Sequence, residues 1–99
     1  TSKAALVGLT KSLAVELGSK VRFNAICPAA VDTPMLHEGF VENPDGLEEL
    51  IKFHPTHSIG AVLDMTSAVL FLADNNNTFL NGAILDLDGG ISRKLHDPE

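Results

Sequence analysis

The chain has 99 residues, of which 44% are hydrophobic and 20% charged, and this composition excludes wholesale disorder. Thirteen acidic residues against seven basic ones give a formal net charge of −6, which disfavours binding to nucleic acid or to an anionic membrane. No apolar run approaches the ~20 residues of a membrane span, and no stretch resembles a cleavable signal peptide. The single cysteine, Cys27, excludes an intramolecular disulfide and fits a reducing compartment, which we take to be the cytoplasm.

Residues 2–17 have the pattern of a helix. Ser2 is a suitable N-cap, and Gly18 stands where a C-cap glycine is expected. One face is marked by leucines that recur every three or four residues, at Leu6, Leu9, Leu13 and Leu17. Small apolar residues fill much of the remaining surface: Ala4, Ala5, Val7, Ala14 and Val15. A helix that is apolar on most sides is expected to be buried between layers or between subunits.

The rest of the chain predicts a strand, a long irregular stretch, a helix and a second strand. Alternating residues over 21–27 predict a strand that ends at Pro28. Residues 28–60 hold four of the five prolines and are predicted to be loop, apart from a short helix over 45–53. A helix is predicted over 64–74 with Asp64 as its N-cap, and a strand over 83–88. The pair Gly89-Gly90 then marks unusual backbone geometry, and the tail over 93–99 is expected to fray.

Each predicted strand follows a helix, which indicates parallel strands joined by crossover helices in an α/β sheet. Two strands are too few for a stable doubly wound sheet. We therefore expect residues 1–99 to form the C-terminal part of a single larger α/β domain whose N-terminal half is absent from this chain.

Four short motifs, in one order and register, carry a resemblance to a known family. They are TSKAA at 1–5, VRFNAI at 21–26, PAAVDTPM at 28–35, and NGA at 81–83 with DGG at 88–90. Together they resemble the C-terminal portion of the short-chain dehydrogenase/reductase family, over Thr1 to about Ser92. The resemblance implies part of a Rossmann-like, doubly wound parallel sheet. It also implies an oxidoreductase that interconverts an alcohol and a carbonyl compound with NAD or NADP.

The resemblance also implies roles for individual residues. Family members carry a catalytic Tyr four residues before a Lys that supports it and binds the nicotinamide ribose. Lys3 matches that Lys, and its Tyr would lie two residues before Thr1. Residues 28–35 match the segment that holds the nicotinamide end of the cofactor. The implied cofactor contacts are Lys3, Pro28, Ala29 (where the family usually has Gly), the Val31 backbone and the Thr33 hydroxyl.

A long loop in a compact domain is usually a lid or a binding segment, and we interpret residues 35–57 as a substrate lid. The expected substrate is a small alcohol or carbonyl compound, and its candidate contacts are Ala30, Met35, Leu36 and Phe40. The apolar first helix, together with the resemblance, implies a homodimer or homotetramer. Two other hypotheses stay open: a non-catalytic relative that binds or oligomerises, and an inactive truncated product.

Three other groups of residues are candidates for chemistry, and each has a simpler explanation. His54 and His57 lie near acidic residues, but the intervening Pro55 disfavours a helical metal pair, so we expect solvated histidines and no metal. Cys27, at a strand end, is interpreted as a small core residue rather than a nucleophile. Asp86 and Asp88 are interpreted as part of a turn rather than as paired catalytic carboxylates.

Overall fold

The computed structural model describes residues 2–94. The elements, in chain order, are α1 (Ser2–Leu17), β1 (Ala25–Pro28), α2 (Pro34–Glu38), α3 (Pro44–Phe53), α4 (Val62–Ala73), β2 (Ile84–Leu87) and a short 3₁₀ helix (Ile91–Arg93). Within the described residues the chain forms two compact units. Unit 1 contains residues 2–27 and 66–85, and unit 2 contains residues 28–65 and 86–94. The predicted fraying of the tail falls mainly on residues 95–99, which lie outside the described part.

The two strands are neighbours in a parallel sheet. The Ala25 N–H donates to the Ala83 carbonyl (2.9 Å), and the Ala29 N–H donates to the Leu87 carbonyl (3.2 Å). Both bonds join residues at the same sequence offset, as parallel pairing requires. The α/β class predicted from the order of helices and strands is therefore confirmed.

Strand β1 begins four residues later than predicted, because asparagine side chains replace the backbone ladder before it. The Asn81 Oδ1 accepts from the Phe23 N–H (2.9 Å), and the Asn24 Oδ1 accepts from the Ala83 N–H (2.8 Å). The Asn24 amide also donates to the Leu80 carbonyl (3.1 Å). These bonds satisfy the backbone without regular strand pairing.

Helix α1 has the predicted bounds, but its leucine face is not its buried face. Thr10 and Ala14 are the buried residues of the helix, whereas Leu9 is 56% exposed and Val15 88% exposed. Ser2, expected to cap the helix, is its first residue. Within the described residues of this chain the helix is largely exposed, and its burial between layers or between subunits stays a prediction.

Gly18 follows α1 directly, as predicted, but a left-handed backbone is not the reason for a glycine there. The Asn81 amide reaches past Gly18 and donates to the Ala14 carbonyl (2.9 Å), an acceptor in the last turn of the helix. A Cβ at Gly18 would overlap the Ala14 carbonyl oxygen and lie 2.7 Å from the Asn81 Nδ2. Glycine is required at position 18 because the Ala14 carbonyl and the Asn81 amide leave no room for a side chain.

The C-terminal end of α4 is held by Arg22. Its guanidinium donates to the Leu72 carbonyl (3.0 Å) and the Leu80 carbonyl (3.1 Å), so a charged donor satisfies a helix-end acceptor.

The buried apolar residues of unit 1 include Ala25, Leu72 and Cys27, which confirms Cys27 as a core residue.

Unit 2 contains a helix that the sequence reading missed. Residues 34–38, predicted to be loop, form α2, because the Thr33 Oγ1 caps it by accepting from the Leu36 N–H (3.3 Å) and Pro34 occupies its first turn. Helix α3 is built the same way, since the Asn43 Oδ1 accepts from the Gly46 N–H (3.0 Å). The segment predicted as a lid is therefore mostly helical.

Helix α4 begins at Val62, two residues earlier than predicted. Asp64 is not the cap residue but lies in the first turn, where its carboxylate accepts from the Ala61 N–H (2.7 Å). A carboxylate in the first turn also interacts favourably with the helix dipole. No helix within residues 2–94 combines the length and the hydropathy that crossing a membrane demands.

Candidate functional site

The loop after β1 leaves the backbone N–H and C=O of one residue, Val31, available to a ligand. Gly60 donates to the Ala30 carbonyl (2.9 Å) and accepts from the Asp32 N–H (2.6 Å), so that Val31 lies between two bonded residues in a parallel bridge. Alternation along an extended segment directs the N–H and C=O of Val31 away from Gly60. Among the described residues neither group has a partner. One donor and one acceptor are therefore available side by side, as recognition of a carboxamide requires.

The Thr33 hydroxyl can still donate a hydrogen bond. Its oxygen accepts from the Leu36 N–H at the start of α2, and its backbone is extended (φ −132°, ψ 160°). A hydroxyl that accepts one bond still has its own hydrogen to donate. The half-buried Thr33 can therefore cap α2 and bind an anionic or carbonyl oxygen at the same time.

The alanine at position 29 introduces no backbone strain. Among the described residues other than glycine, only His57 has a positive φ (55°), so Ala29 lies in a region open to any residue. Its N–H is paired with the Leu87 carbonyl, and its side chain is exposed. Pro28 before it is the last residue of β1. The backbone conformation of this loop therefore does not require the glycine usual in the family.

A side-chain pair connects the loop to α2. The His37 Nε2 and the Asp32 Oδ1 are 2.6 Å apart, and both side chains are more than half exposed. Such a pair links Asp32 to α2 but adds little stability, since exposed pairs contribute about 0–1 kcal/mol.

The predicted substrate contacts differ in their surroundings. Met35 is 80% exposed on α2, whereas Leu36 and Phe40 are half-buried. Ala30 is half-buried and is the one member of this group that lines a cleft of unit 2, a space of about 510 Å³. Two further segments line the cleft, with residues that include His54, Thr56, Gly60, Asp86, Gly89 and Gly90.

His54 lines this cleft, and the prediction that it is a solvated histidine is wrong. Its ring is 2% exposed, and its Nδ1–H donates to the Leu50 carbonyl (2.7 Å) at the end of α3. Because a carbonyl only accepts, Nδ1 carries the hydrogen. The Nε2 is buried without a partner among residues 2–94. A histidine directly after an amphipathic helix can cap its last carbonyls, and the position of His54 after Phe53 was the available signal.

The turn after β2 has the predicted unusual geometry, with φ of 61° at Gly89 and 92° at Gly90. Asp88 accepts from the Ser92 hydroxyl and from the Gly90 N–H (2.9 Å), and these bonds, the first above all, lower the pKa of its carboxyl. Asp86 pairs with Arg93 at 3.2 Å. Asp88 therefore holds the turn, as interpreted from the sequence, whereas Asp86 lies in β2 rather than in the turn.

Lys3 lies in unit 1, in the first turn of α1, and its side chain is exposed. The other predicted cofactor and substrate residues all belong to unit 2. Within the part of the chain that is described, no three His, Cys, Asp or Glu side chains converge as metal ligands would.

Parallel strands, an intervening helix and a backbone-lined loop at the carboxyl end of a strand define the class of α/β nucleotide-binding folds. Residues 1–92 match the family model described as "Enoyl-(Acyl carrier protein) reductase". The chain belongs to the short-chain dehydrogenase/reductase family.

Two relatives show what the chain is similar to. It is 40% identical over 90 residues to 2-(R)-hydroxypropyl-CoM dehydrogenase of Xanthobacter autotrophicus, and the matched region covers 90% of this chain and 36% of that protein. It is 37% identical to the structure of a C-terminal deletion mutant of Thermoplasma acidophilum aldohexose dehydrogenase, with a TM-score of 0.85 over 94% of this chain and 44% of that one.

A further similar structure contains a cofactor. ElxO with NADP bound is 32% identical, with a TM-score of 0.83 over 93% of this chain and 38% of that one. The chain thus spans little more than a third of the length of the curated relatives it matches.

Proposed function

We propose that this chain serves in an oxidoreductase that interconverts an alcohol and a carbonyl compound with NAD or NADP. The observation that carries the proposal is that the N–H and C=O of Val31, at the carboxyl end of β1, have no partner among residues 2–94. Ligands of open α/β sheets bind at that end of the strands. The NADP-bound ElxO structure, similar over nearly all of this chain, supports the same assignment.

The nicotinamide end of the cofactor fits the loop over residues 28–33. Val31 offers a backbone donor and acceptor to the carboxamide, and the Thr33 hydroxyl has a hydrogen to donate to the carboxamide or a phosphate oxygen. Pro28 and Ala29 shape the approach, with no backbone strain at Ala29. When bound, the cofactor accepts or donates the hydride of the reaction.

Lys3 has the proposed role of assisting proton transfer. A fixed ammonium near a phenol favours the phenolate and so lowers a phenol pKa of ~10 towards neutral pH. In the family resemblance that phenol belongs to the residue four positions before Lys3. The same ammonium binds the nicotinamide ribose, where it donates to a hydroxyl.

The substrate is proposed to lie against the start of the lid. Met35, Leu36 and Phe40 provide an apolar wall, and Ala30 provides a small surface beside the cofactor loop. Met35 is exposed and thus available for contact. A substrate with apolar surface around its carbinol or carbonyl carbon would gain about 25 cal/mol for each Å² buried there.

Thr33 provides the test of the cofactor site. Replacing Thr33 by aspartate keeps an N-cap for α2 but removes the hydroxyl hydrogen and adds a negative charge. We expect KM for NAD(P) to rise at least about tenfold, the scale of one lost bond to a charged or polar group, while Thr33→Ser keeps a KM close to the wild-type value. Steady-state kinetics with varied cofactor measures this. An unchanged KM in the aspartate variant would remove Thr33 from the site.

We also propose a homodimer or homotetramer that uses α1. Leu6, Leu9 and Val15 leave an apolar surface on this helix, and small residues beside them permit close helix approach. A second copy of the same helix around a two-fold axis is the simplest cover, since two-fold symmetry is the commonest in homo-oligomers.

A cytoplasmic location is proposed as well, supported by the single buried free thiol of Cys27.

A further inference from the structure

The C-terminal end of α3 is satisfied by donors from two separate parts of the chain. The last carbonyls of a helix lack intrahelical partners and need other donors. The His54 N–H donates to the Ile51 carbonyl (3.3 Å), and its Nδ1–H donates to the Leu50 carbonyl (2.7 Å). The Lys94 ammonium donates to the Phe53 carbonyl (2.8 Å) from a position 41 residues further along the chain. Lys94 is therefore the long-range member of this cap.

Lys94 makes a second contact with the same residue. Its ammonium lies 3.6 Å from the centroid of the Phe53 ring, within the range of a cation–π interaction. A hydrogen bond and a ring contact together define where the last residue of α3 lies. Either contact alone would leave the helix end more freedom.

Two glycines bring the chain after β2 close to this helix end. The Thr56 N–H donates to the Gly89 carbonyl (3.2 Å). A Cβ at Gly89 would lie 2.5 Å from the Thr56 Oγ1, and one at Gly90 would lie 3.3 Å from the Pro55 Cβ. Both glycines also have positive φ, so the approach depends on residues without a side chain.

The segment that carries Lys94 is itself braced. Asp88 accepts from the N–H groups of Gly90 (2.9 Å) and Ser92 (3.2 Å), and Arg93 pairs with Asp86. We call residues 88–94 the C-terminal strap. Because these contacts fix the backbone that leads to Lys94, the Lys94 side chain can in turn fix the end of α3.

The other end of the lid lacks such bracing. Met35 on α2 is 80% exposed, and Val41 in the turn after α2 is 74% exposed. The Asp32–His37 pair that joins α2 to the cofactor loop is exposed on both sides. Residues 35–57 are thus held firmly at the α3 end and weakly at the α2 end.

We propose that Lys94 is a positioning residue for the substrate site: through the C-terminal strap it fixes α3 and so sets the position of the lid over the substrate. This inference rests on the proposed function, in which residues 35–57 form the lid. Lys94 belongs neither to the cofactor loop nor to the residues assigned to proton transfer. Its loss therefore weakens substrate binding and leaves the chemical step intact.

The test compares Lys94→Met with Lys94→Arg and Lys52→Met in the full protein. Methionine keeps most of the side-chain volume but removes the donor and the charge, whereas arginine keeps both. Lys52 is a matched control, since it lies on α3 and, within residues 2–94, pairs only with the exposed Glu48, at 3.8 Å. Amide hydrogen exchange over residues 50–56 reports local opening, and kinetics with cofactor and a panel of 2-octanol, cyclohexanol and glucose reports function.

In Lys94→Met we expect exchange over residues 50–56 to accelerate about tenfold, and KM for the alcohol to rise several-fold with kcat within about twofold. Lys94→Arg and Lys52→Met should match the wild type. If amide exchange over residues 50–56 is unchanged in Lys94→Met, the inference that Lys94 holds the end of α3 is wrong. Faster exchange with unchanged KM would overturn its role in substrate positioning. If the wild-type protein oxidises no alcohol of the panel, the proposed function fails on its own, while the exchange data still decide whether Lys94 holds α3.

Discussion

Replacing Lys3 by alanine is expected to lower kcat/KM by at least about 100-fold, the scale of lost acid–base assistance. The alanine variant removes the ammonium that is proposed to favour the phenolate and to bind the ribose. A cation in the first turn opposes the helix dipole by about 0.3–1 kcal/mol when exposed, so the dipole gives no reason for the helix to lose stability in this variant. Thermal unfolding measured beside the kinetics separates a loss of activity from a loss of fold.

Lys11→Ala is the matched control for this prediction. Lys11 lies on the same helix and is exposed like Lys3, so the two variants lose the same charge from the same element. Steady-state kinetics at saturating cofactor should show near wild-type turnover for Lys11→Ala. Equal turnover in the wild type and Lys3→Ala would remove Lys3 from the mechanism.

Replacing Val15 by glutamate is expected to convert an oligomer into a monomer. Val15 is 88% exposed on α1, so the substitution leaves the packing of unit 1 intact and places a charge on the proposed interface. An unpaired charge buried between subunits carries a desolvation penalty of several kcal/mol, enough to shift association by orders of magnitude. Light scattering at micromolar concentration measures the mass directly.

The choice of residue matters for this experiment. The neighbouring Ala14 is 6% exposed, and its Cβ lies so close to Gly82 that a Cβ added to that glycine would be 3.4 Å away. Glutamate in place of Ala14 would therefore disrupt unit 1 as well as the interface. Asn75→Glu is the better control, because it adds the same charge at an exposed turn of unit 1. A wild-type protein that already has the mass of a monomer would contradict the proposed assembly.

Local signals in the sequence were enough to predict some of the elements. Helix α1 matched its predicted bounds because a strong helical pattern runs up to a glycine. The turn at Gly89-Gly90 was predicted because only glycine adopts positive φ without strain. Helix α2 was also within reach, since Thr33-Pro34 is an N-cap followed by a first-turn proline.

Other features depend on distant partners and could not be read locally. The late start of β1 follows from Asn24 and Asn81, whose side chains meet only in the folded chain. His54 is buried because the turn at Gly89 packs against it, which its own neighbours in sequence do not reveal. The leucines of α1 are exposed within the described residues, because an apolar face does not itself say which element or subunit covers it.

The candidate site divides in the same way. Lys3 and Thr33 were named from a family resemblance, and that family has been confirmed. Among the described residues the N–H and C=O of Val31 lack partners because of how the backbone pairs with Gly60, and residue types alone do not predict that pairing. The bonding pattern therefore adds a physical reason for placing the cofactor at this loop.

The central claim is that the backbone N–H and C=O of Val31 bind the nicotinamide carboxamide, and amide NMR during a cofactor titration tests it most directly. With NADP⁺ we expect the Val31 amide resonance to shift to lower field and to show a nuclear Overhauser contact with the nicotinamide ring. Nicotinic acid adenine dinucleotide phosphate, which has a carboxylate in place of the carboxamide, should shift it less. Saturation with NADP⁺ that leaves the resonances of residues 28–33 unmoved would contradict the account.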